Sequence, residues 1–129
     1  MKPYLINEAD CPNERWDDPV RGRVDWRTLL SGDRTPTSGL TMGVAEAGPV
    51  GAEGPRLHRH AQAEAYYILS GRGVLRIDGE DHPLSAGTTV FIPGGAWHGA
   101  AAVGGEPLKI LYVFAADSFE DIVYEFQAP

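Results

Sequence analysis

Cysteine is almost absent from this sequence, with Cys11 the single one among 129 residues. One thiol cannot form an internal disulfide, so a disulfide-stapled secreted fold is excluded and a reducing compartment is expected. No apolar run approaches the roughly 20 residues that a membrane-spanning helix needs. Residues 1–10 also lack the basic start and the apolar stretch of a signal peptide. These absences lead us to expect a cytoplasmic protein.

Positive charge is also in short supply. Lysine and arginine together number 11, against 18 aspartates and glutamates, which gives a formal net charge of −7. An acidic chain repels phosphate backbones and anionic lipid headgroups. Nucleic acid and membrane surfaces are therefore disfavoured as partners, and a small-molecule ligand or substrate is expected instead.

Glycine and proline, in contrast, are abundant, at 16 and 10 residues spread along the chain. They separate short segments rich in branched and aromatic residues, and no long helical periodicity is present. This pattern predicts a single all-β domain, a sandwich or barrel. Residues 1–39 are expected to form an N-terminal segment with one added strand, and residues 40–129 the barrel. The predicted strands cover residues 24–30, 40–47, 56–60, 65–69, 73–79, 82–84, 88–92, 97–103, 108–114 and 122–126.

Three histidines and one carboxylate stand at spacings that indicate a metal site. His58 and His60 share a face if they lie on a strand, because strand side chains alternate. Glu64 begins the next predicted strand, and His98 begins a later one. If these strands are neighbours, the four side chains can bind one divalent transition metal, whether Fe, Ni, Zn, Mn or Co. Such a set leaves coordination positions open for catalysis. His82 is expected at the surface.

The spacing of these residues resembles the two sequence motifs of the cupin family. The first motif matches His58-x-His60-x3-Glu64-x6-Gly71, and the second matches Gly87-x5-Pro93-x-Gly95-x2-His98. Two fixed positions differ: the opening glycine of the first motif falls on Ala52, and the closing asparagine of the second on Ala102. The resemblance implies a jelly-roll β-barrel with the metal in its mouth, and often a homodimer.

Tyr66 is predicted to point into the metal cavity, because it shares the strand face of Glu64 and Ile68. One interpretation makes it a lining aromatic whose hydroxyl meets water or backbone. The other makes it an acid/base. A phenol with an ordinary pKa of about 10 is a poor base at neutral pH, although a nearby divalent cation favours the phenolate. The residues alone leave both interpretations open.

Further cavity-lining residues follow from the same alternation. Ala100 and Ala102 would share the face of His98 and leave room for a ligand. Tyr112 and Tyr124 would form, with Tyr66, an aromatic wall suited to a small organic cation, although plain core packing accounts for them equally well. Core packing is the expectation for three phenylalanines: Phe91, Phe114 and Phe126.

The chain also resembles, more specifically, the small cupin dimethylsulfoniopropionate lyases. The similarity covers residues 38–46, the segment Glu64-Ala65-Tyr66, and residues 112–124. It implies a metal-dependent β-elimination on a small organic acid, with Tyr66 at the position of the base. Two alternatives remain: another metal-dependent cupin enzyme, such as a dioxygenase, isomerase or cyclase, or a non-catalytic cupin that binds a small ligand or sugar.

Overall fold

The computed structural model describes residues 2–51 and 54–128, and within them eleven strands form two antiparallel sheets packed face to face. The six-stranded sheet has the order β1-β2-β3-β10-β5-β8, and the five-stranded sheet the order β11-β4-β9-β6-β7. No α-helix occurs in these residues, so the predicted all-β fold is confirmed. The strands are β1 (Glu14–Asp18), β2 (Gly22–Leu30), β3 (Thr41–Ala47), β4 (His58–Arg59), β5 (Glu64–Ser70), β6 (Arg72–Ile77), β7 (Glu80–Ser85), β8 (Thr89–Ile92), β9 (His98–Ala102), β10 (Leu108–Phe114) and β11 (Glu125–Phe126).

Only short 3-10 turns, at Glu8–Asp10 and Phe119–Asp121, interrupt the strands and loops of the described chain. None of its helical segments has the length and apolar character needed to cross a bilayer. Ala52, where the first motif departs from the family pattern, lies outside the described residues.

The core lies between the two sheets, and it follows the alternation of β10. Leu108, Ile110, Tyr112 and Phe114 are buried, while the residues between them are partly exposed. These four side chains pack with residues of β5, β6 and β8 in one apolar cluster. The expected burial of Phe114 is thus confirmed.

The prediction that Phe91 packs in the core is wrong, because this residue is 70% exposed. It lies on β8, where alternation turns Ile92 inward and Phe91 outward. Its direct partner on β5 is Ala65, which is also exposed. Phe126 is half-buried rather than part of the central core.

Two differences from the predicted strands arise near the chain ends. β1 occupies a stretch where no strand is predicted, and it pairs with β2 across the full length of Glu14–Asp18. The carboxylate of Asp18 closes this hairpin by accepting hydrogen bonds from the backbone N–H groups of Val20 and Arg21. β11 contains only Glu125–Phe126, because residues 122–124 of the predicted strand follow the Phe119–Asp121 turn without joining a sheet.

A polar clasp joins the end of β2 to the turn that precedes β11. The carboxylate of Asp33 accepts hydrogen bonds from the hydroxyls of Ser31 and Ser118, the second at 2.8 Å. These two bonds hold the pKa of Asp33 below its ordinary value. The backbone N–H of Phe119 donates to Ser31 Oγ at 2.8 Å. The clasp therefore fixes where the chain enters the segment that carries Tyr124.

Candidate active site

The three motif histidines converge at one end of the five-stranded sheet. β4 lies between β11 and β9, and His58 is directly opposite His98. Their ring centroids are 4.4 Å apart, and those of His60 and His98 are 5.1 Å apart. One nitrogen from each imidazole lies within 4.8 Å of the other two, so the three histidines could hold a metal ion.

Glu64 reaches the same point from the opposite sheet, at the start of β5. Its Oε1 lies 3.2 Å from His60 Nε2 and 3.3 Å from His98 Nε2. Glu64 is 5% exposed, and His98 is fully buried. The structure thus brings together all four residues that the spacing singles out, whereas their roles as ligands stay a prediction.

Hydrogen bonds to the backbone fix which imidazole nitrogens face this carboxylate. Nδ1 of His60 is 2.9 Å from the carbonyl of Gln62, and Nδ1 of His98 is 2.9 Å from that of Ala96. A carbonyl only accepts, so each Nδ1 carries a hydrogen and each ring turns its Nε2 towards Glu64.

Two imidazole nitrogens and one carboxylate thus converge on one buried point. His98 Nε2 is buried and has no hydrogen-bond partner among the described residues. Such an arrangement is unfavourable by itself, since buried acceptors need a donor or a cation. Backbone carbonyls that orient Nδ1 are also the usual support for metal-binding histidines. The residues therefore fit a metal cation.

His58 is held in the neutral form that metal binding requires. Burial lowers the pKa of His58 well below its ordinary value, and the neighbouring His98 and His60 lower it further. Metal ligation by histidine needs a deprotonated ring nitrogen. Protonation therefore competes weakly with a metal at His58.

Tyr66 lies on β5, and its side chain points inward as the alternation predicts. Tyr66 and Ile68 are buried, whereas Tyr67 and Leu69 are exposed. Burial raises the pKa of Tyr66 well above its ordinary value, and the charge of Glu64 raises it further. In the metal-free chain Tyr66 is therefore a neutral phenol.

A cavity of about 380 Å³ opens beside the histidines. This volume suits a small organic molecule. Ala100 lines the cavity, whereas Ala102 lies in the adjacent core cluster and is not part of the lining. The aromatic residues that line it are Trp16, Trp26, Tyr66, Tyr112, Phe119 and Tyr124.

Tyr112 extends along the wall of this cavity, over a glycine of the neighbouring strand. A Cβ added to Gly43 would lie 2.3 Å from Tyr112 Oη, so the ring occupies the space that a side chain would fill. Burial raises the pKa of Tyr112, with a further increase from Glu64, while the hydroxyl of Thr28 lowers it. Tyr112 is thus a neutral, well-positioned lining residue.

Tyr124 lies closer to the histidines. Its ring centroid is 5.2 Å from that of His58 and 5.4 Å from that of His60. Burial raises the pKa of its phenol well above the ordinary value, and Glu64 adds to the shift. Tyr124 therefore separates the imidazoles from the aromatic residues farther along the cavity.

Three of these lining residues are missing from the predicted site: Trp16, Trp26 and Phe119. Trp26 lies in the predicted strand 24–30, so the alternation of side chains along that strand could have placed it on the inward face. Trp16 is surrounded by charged residues, including Arg15 and Asp17, and gives no such pattern.

Comparisons with known proteins agree with this architecture. A family model described as "Cupin domain" matches residues 46–114. The chain is 41% identical over 126 residues to dimethylsulfoniopropionate lyase DddW from Ruegeria pomeroyi, which covers 98% of this chain and 81% of that protein. It is 32% identical over 94 residues to an oxalate-binding protein from Thermotoga maritima, covering 72% and 76% of the two chains. The crystal structure of a predicted oxalate decarboxylase from Thermotoga maritima superposes with a TM-score of 0.73 and 28% identity, covering 88% of this chain and 99% of that one.

Proposed function

The chain belongs to the cupin domain family, and from that premise we propose that it is a metal-dependent lyase that cleaves dimethylsulfoniopropionate. The observation that carries the proposal is the similarity, along nearly the whole chain, to a lyase of that substrate. The products would be dimethyl sulfide and acrylate. The expected setting is the cytoplasm.

Four side chains would hold the metal: His58, His60, Glu64 and His98. A bound divalent transition metal would supply positive charge that polarises the substrate carboxylate and favours the phenolate of Tyr66. Glu64 and the three imidazoles supply a charge of only −1, so the loaded site attracts a carboxylate. The cavity beside it, lined largely by aromatic and small residues, would hold the rest of the substrate.

Tyr66 would act as the base in a β-elimination. Its Oη accepts the proton from the α-carbon, and the electrons of that C–H bond form the new carbon–carbon double bond. The bond between the β-carbon and sulfur breaks, and the electron pair leaves with sulfur as neutral dimethyl sulfide. A base placed in this way typically accelerates a reaction by about 10²–10⁴-fold.

Tyr112, Tyr124 and Ala100 would bind the substrate, since all three line the cavity. Ala102 stays a predicted member of this set, in the core beside it. Both rings line the cavity, and Ala100 is small enough to leave room for a ligand. Small residues there suit a short substrate such as a three-carbon acid.

The test is the release of dimethyl sulfide by metal-loaded protein, measured in the headspace by gas chromatography. We expect Tyr66→Phe to lower kcat by about 10²–10⁴-fold at unchanged metal content. Tyr67→Phe is the matched control, because Tyr67 is the next residue on the same strand but faces outward and is 46% exposed. Undiminished activity in Tyr66→Phe would remove Tyr66 from the base role.

The similarity to an oxalate-binding protein supports a second candidate, a cupin that binds a small carboxylate without converting it. The same four residues and cavity would serve this role. Thermal stabilisation by oxalate, together with no dimethyl sulfide from any metal-loaded form, would favour binding over lysis.

We also propose that the chain forms a homodimer. An apolar patch on the outer face of β5 and β8 supports this assembly. It consists of Ala65, Tyr67, Leu69 and Phe91, all of which are exposed.

A further inference from the structure

Trp16 connects the N-terminal strand β1 to the cavity. It lies on the inward-facing side of β1 and lines the cavity although β1 is an edge strand. Its ring centroid is 5.1 Å from that of Tyr124 and 5.1 Å from that of Trp26, in edge-to-face contacts. A strand outside the two family motifs therefore contributes directly to the candidate active site.

Four cavity-lining rings form one continuous surface, here called the onium wall: Trp16, Trp26, Phe119 and Tyr124. Phe119 closes the contacts, since its centroid is 6.1 Å from that of Trp26 and 6.0 Å from that of Tyr124. The clasp around Asp33 holds Phe119 in place. The wall is thus built from both chain ends.

The position of the onium wall relative to the histidines fits a short zwitterion. Tyr124 links the two in a series of ring contacts, since its centroid is 5.2 Å from that of His58 and 5.1 Å from that of Trp16. Trp16 is therefore one ring farther from the proposed metal site than Tyr124. If the substrate carboxylate is held at the histidines, a group separated from it by two methylenes would lie beside these rings.

The chemistry of the wall favours a cation that carries no hydrogen-bond donor. A methylated sulfonium or ammonium group cannot be satisfied by hydrogen bonds, and aromatic ring faces attract it through their quadrupoles. Arg21, which also lines the cavity, already places its Cζ 5.4 Å from the Trp16 centroid, so a substrate cation would take the place of this guanidinium on the ring. That guanidinium is paired with Asp18 at 2.6 Å, which offsets its charge.

We propose that Trp16 is a specificity-determining residue that contacts the methylated onium end of the substrate. The substrate class is then small zwitterions in which a methylated sulfonium or ammonium lies two carbons from a carboxylate. This inference rests on the proposed function and deepens it, because it assigns the leaving-group end of the substrate to the onium wall.

The test compares two ligands of nearly equal shape, 3-(trimethylammonio)propanoate and 4,4-dimethylpentanoate, which differ in the charge of their branched end. Isothermal titration of each into the metal-loaded chain gives the ratio of their Kd values. We expect the charged ligand to bind about tenfold more tightly, since a partly desolvated cation–π contact has about that strength. Trp16→Leu should reduce the ratio to about two or less, and Trp16→Phe should retain part of it.

Phe126→Leu is the matched control for lost packing. Phe126 contacts Trp16 at 5.5 Å and stacks on Tyr124, yet it does not line the cavity. The Phe126→Leu variant should have a lower melting temperature than wild type and the same ratio of Kd values for the two ligands. A wild-type ratio near one, or equal loss of the ratio in both leucine variants, would overturn the proposal.

Binding and turnover separate this inference from the lyase itself. If the metal-loaded protein prefers the charged ligand but releases no dimethyl sulfide, the role of the onium wall is retained and the proposed reaction is refuted. If the protein releases dimethyl sulfide without preferring the charged ligand, only the role of Trp16 is refuted.

Discussion

His98 is the residue on which the metal hypothesis depends most directly. It is fully buried, and its Nε2 has no hydrogen-bond partner among the described residues. We expect His98→Ala to weaken metal affinity by on the order of 100-fold or more, because one of four converging donors is lost. Elemental analysis after dialysis against a limiting metal concentration gives the comparison with wild type.

His82→Ala is the control, since the His82 side chain is 51% exposed on β7. Metal added at about 100 times its Kd should raise the free energy of unfolding by ~2.7 kcal/mol in wild type and in His82→Ala. The same addition should leave His98→Ala nearly unchanged. Equal metal content in the two alanine variants would contradict the assigned site.

At the scale of single residues, the sequence predicted what spacing and alternation control. The convergence of His58, His60 and His98, and the inward face of Tyr66, follow from the period of a strand and the short turns between strands. The prediction that Phe91 is buried was wrong, because the alternation of side chains along β8, and not hydrophobicity, decides which residues face the core. Trp16 could not be predicted, since its burial depends on pairing between two segments.

At the scale of elements, a row of residues crosses the six-stranded sheet beneath the cavity. Gly43 on β3 lies opposite Thr28 on β2 and Tyr112 on β10. A methyl group at Gly43 would lie 2.3–2.6 Å from three atoms of the Tyr112 phenol. Gly43→Ala should therefore lower the free energy of unfolding by about 1–3 kcal/mol, as overpacking typically does.

A double-mutant cycle with Tyr112→Leu tests the cause. If the clash is with the phenol, Gly43→Ala should cost clearly less in the Tyr112→Leu background, with an interaction energy of about 0.5–3 kcal/mol. Gly105→Ala is the control, because a Cβ there meets nothing within 4 Å. Additive costs in urea denaturation would show that Gly43 acts on something other than Tyr112.

Turn chemistry decides which strands can be predicted from sequence. Asp78 and Gly79 have φ values of 48° and 84°, as the Asp-Gly signal for a two-residue hairpin requires. The pairing of β6 with β7 across this turn can therefore be predicted from the sequence. β1 has no apolar alternation, because Arg15, Asp17 and Asp18 occupy most of its five residues. It is held by pairing with β2 and by the Asp18 turn, which no local pattern reveals.

At the scale of the whole molecule, the sheet edges differ in how they face solvent. β7, an edge of the five-stranded sheet, exposes Glu80, Asp81, His82 and Pro83. Charge and proline at an edge prevent further strand pairing. β8, an edge of the six-stranded sheet, instead exposes Phe91. This contrast favours the β8 side as the contact surface between two copies.

The proposed homodimer can be tested through Phe91, which is 70% exposed in the apolar patch of β5 and β8. In a two-fold contact the same patch meets itself, so Phe91→Glu would bring two new negative charges together in a chain of net charge −7. We expect wild type to sediment as a dimer and Phe91→Glu as a monomer, at tens of micromolar protein. Leu5→Glu, at a residue 86% exposed outside the patch, should remain dimeric. A monomeric wild type, or a dimeric Phe91→Glu variant, would rule out this surface, because each contradicts the burial of Phe91 that the contact requires.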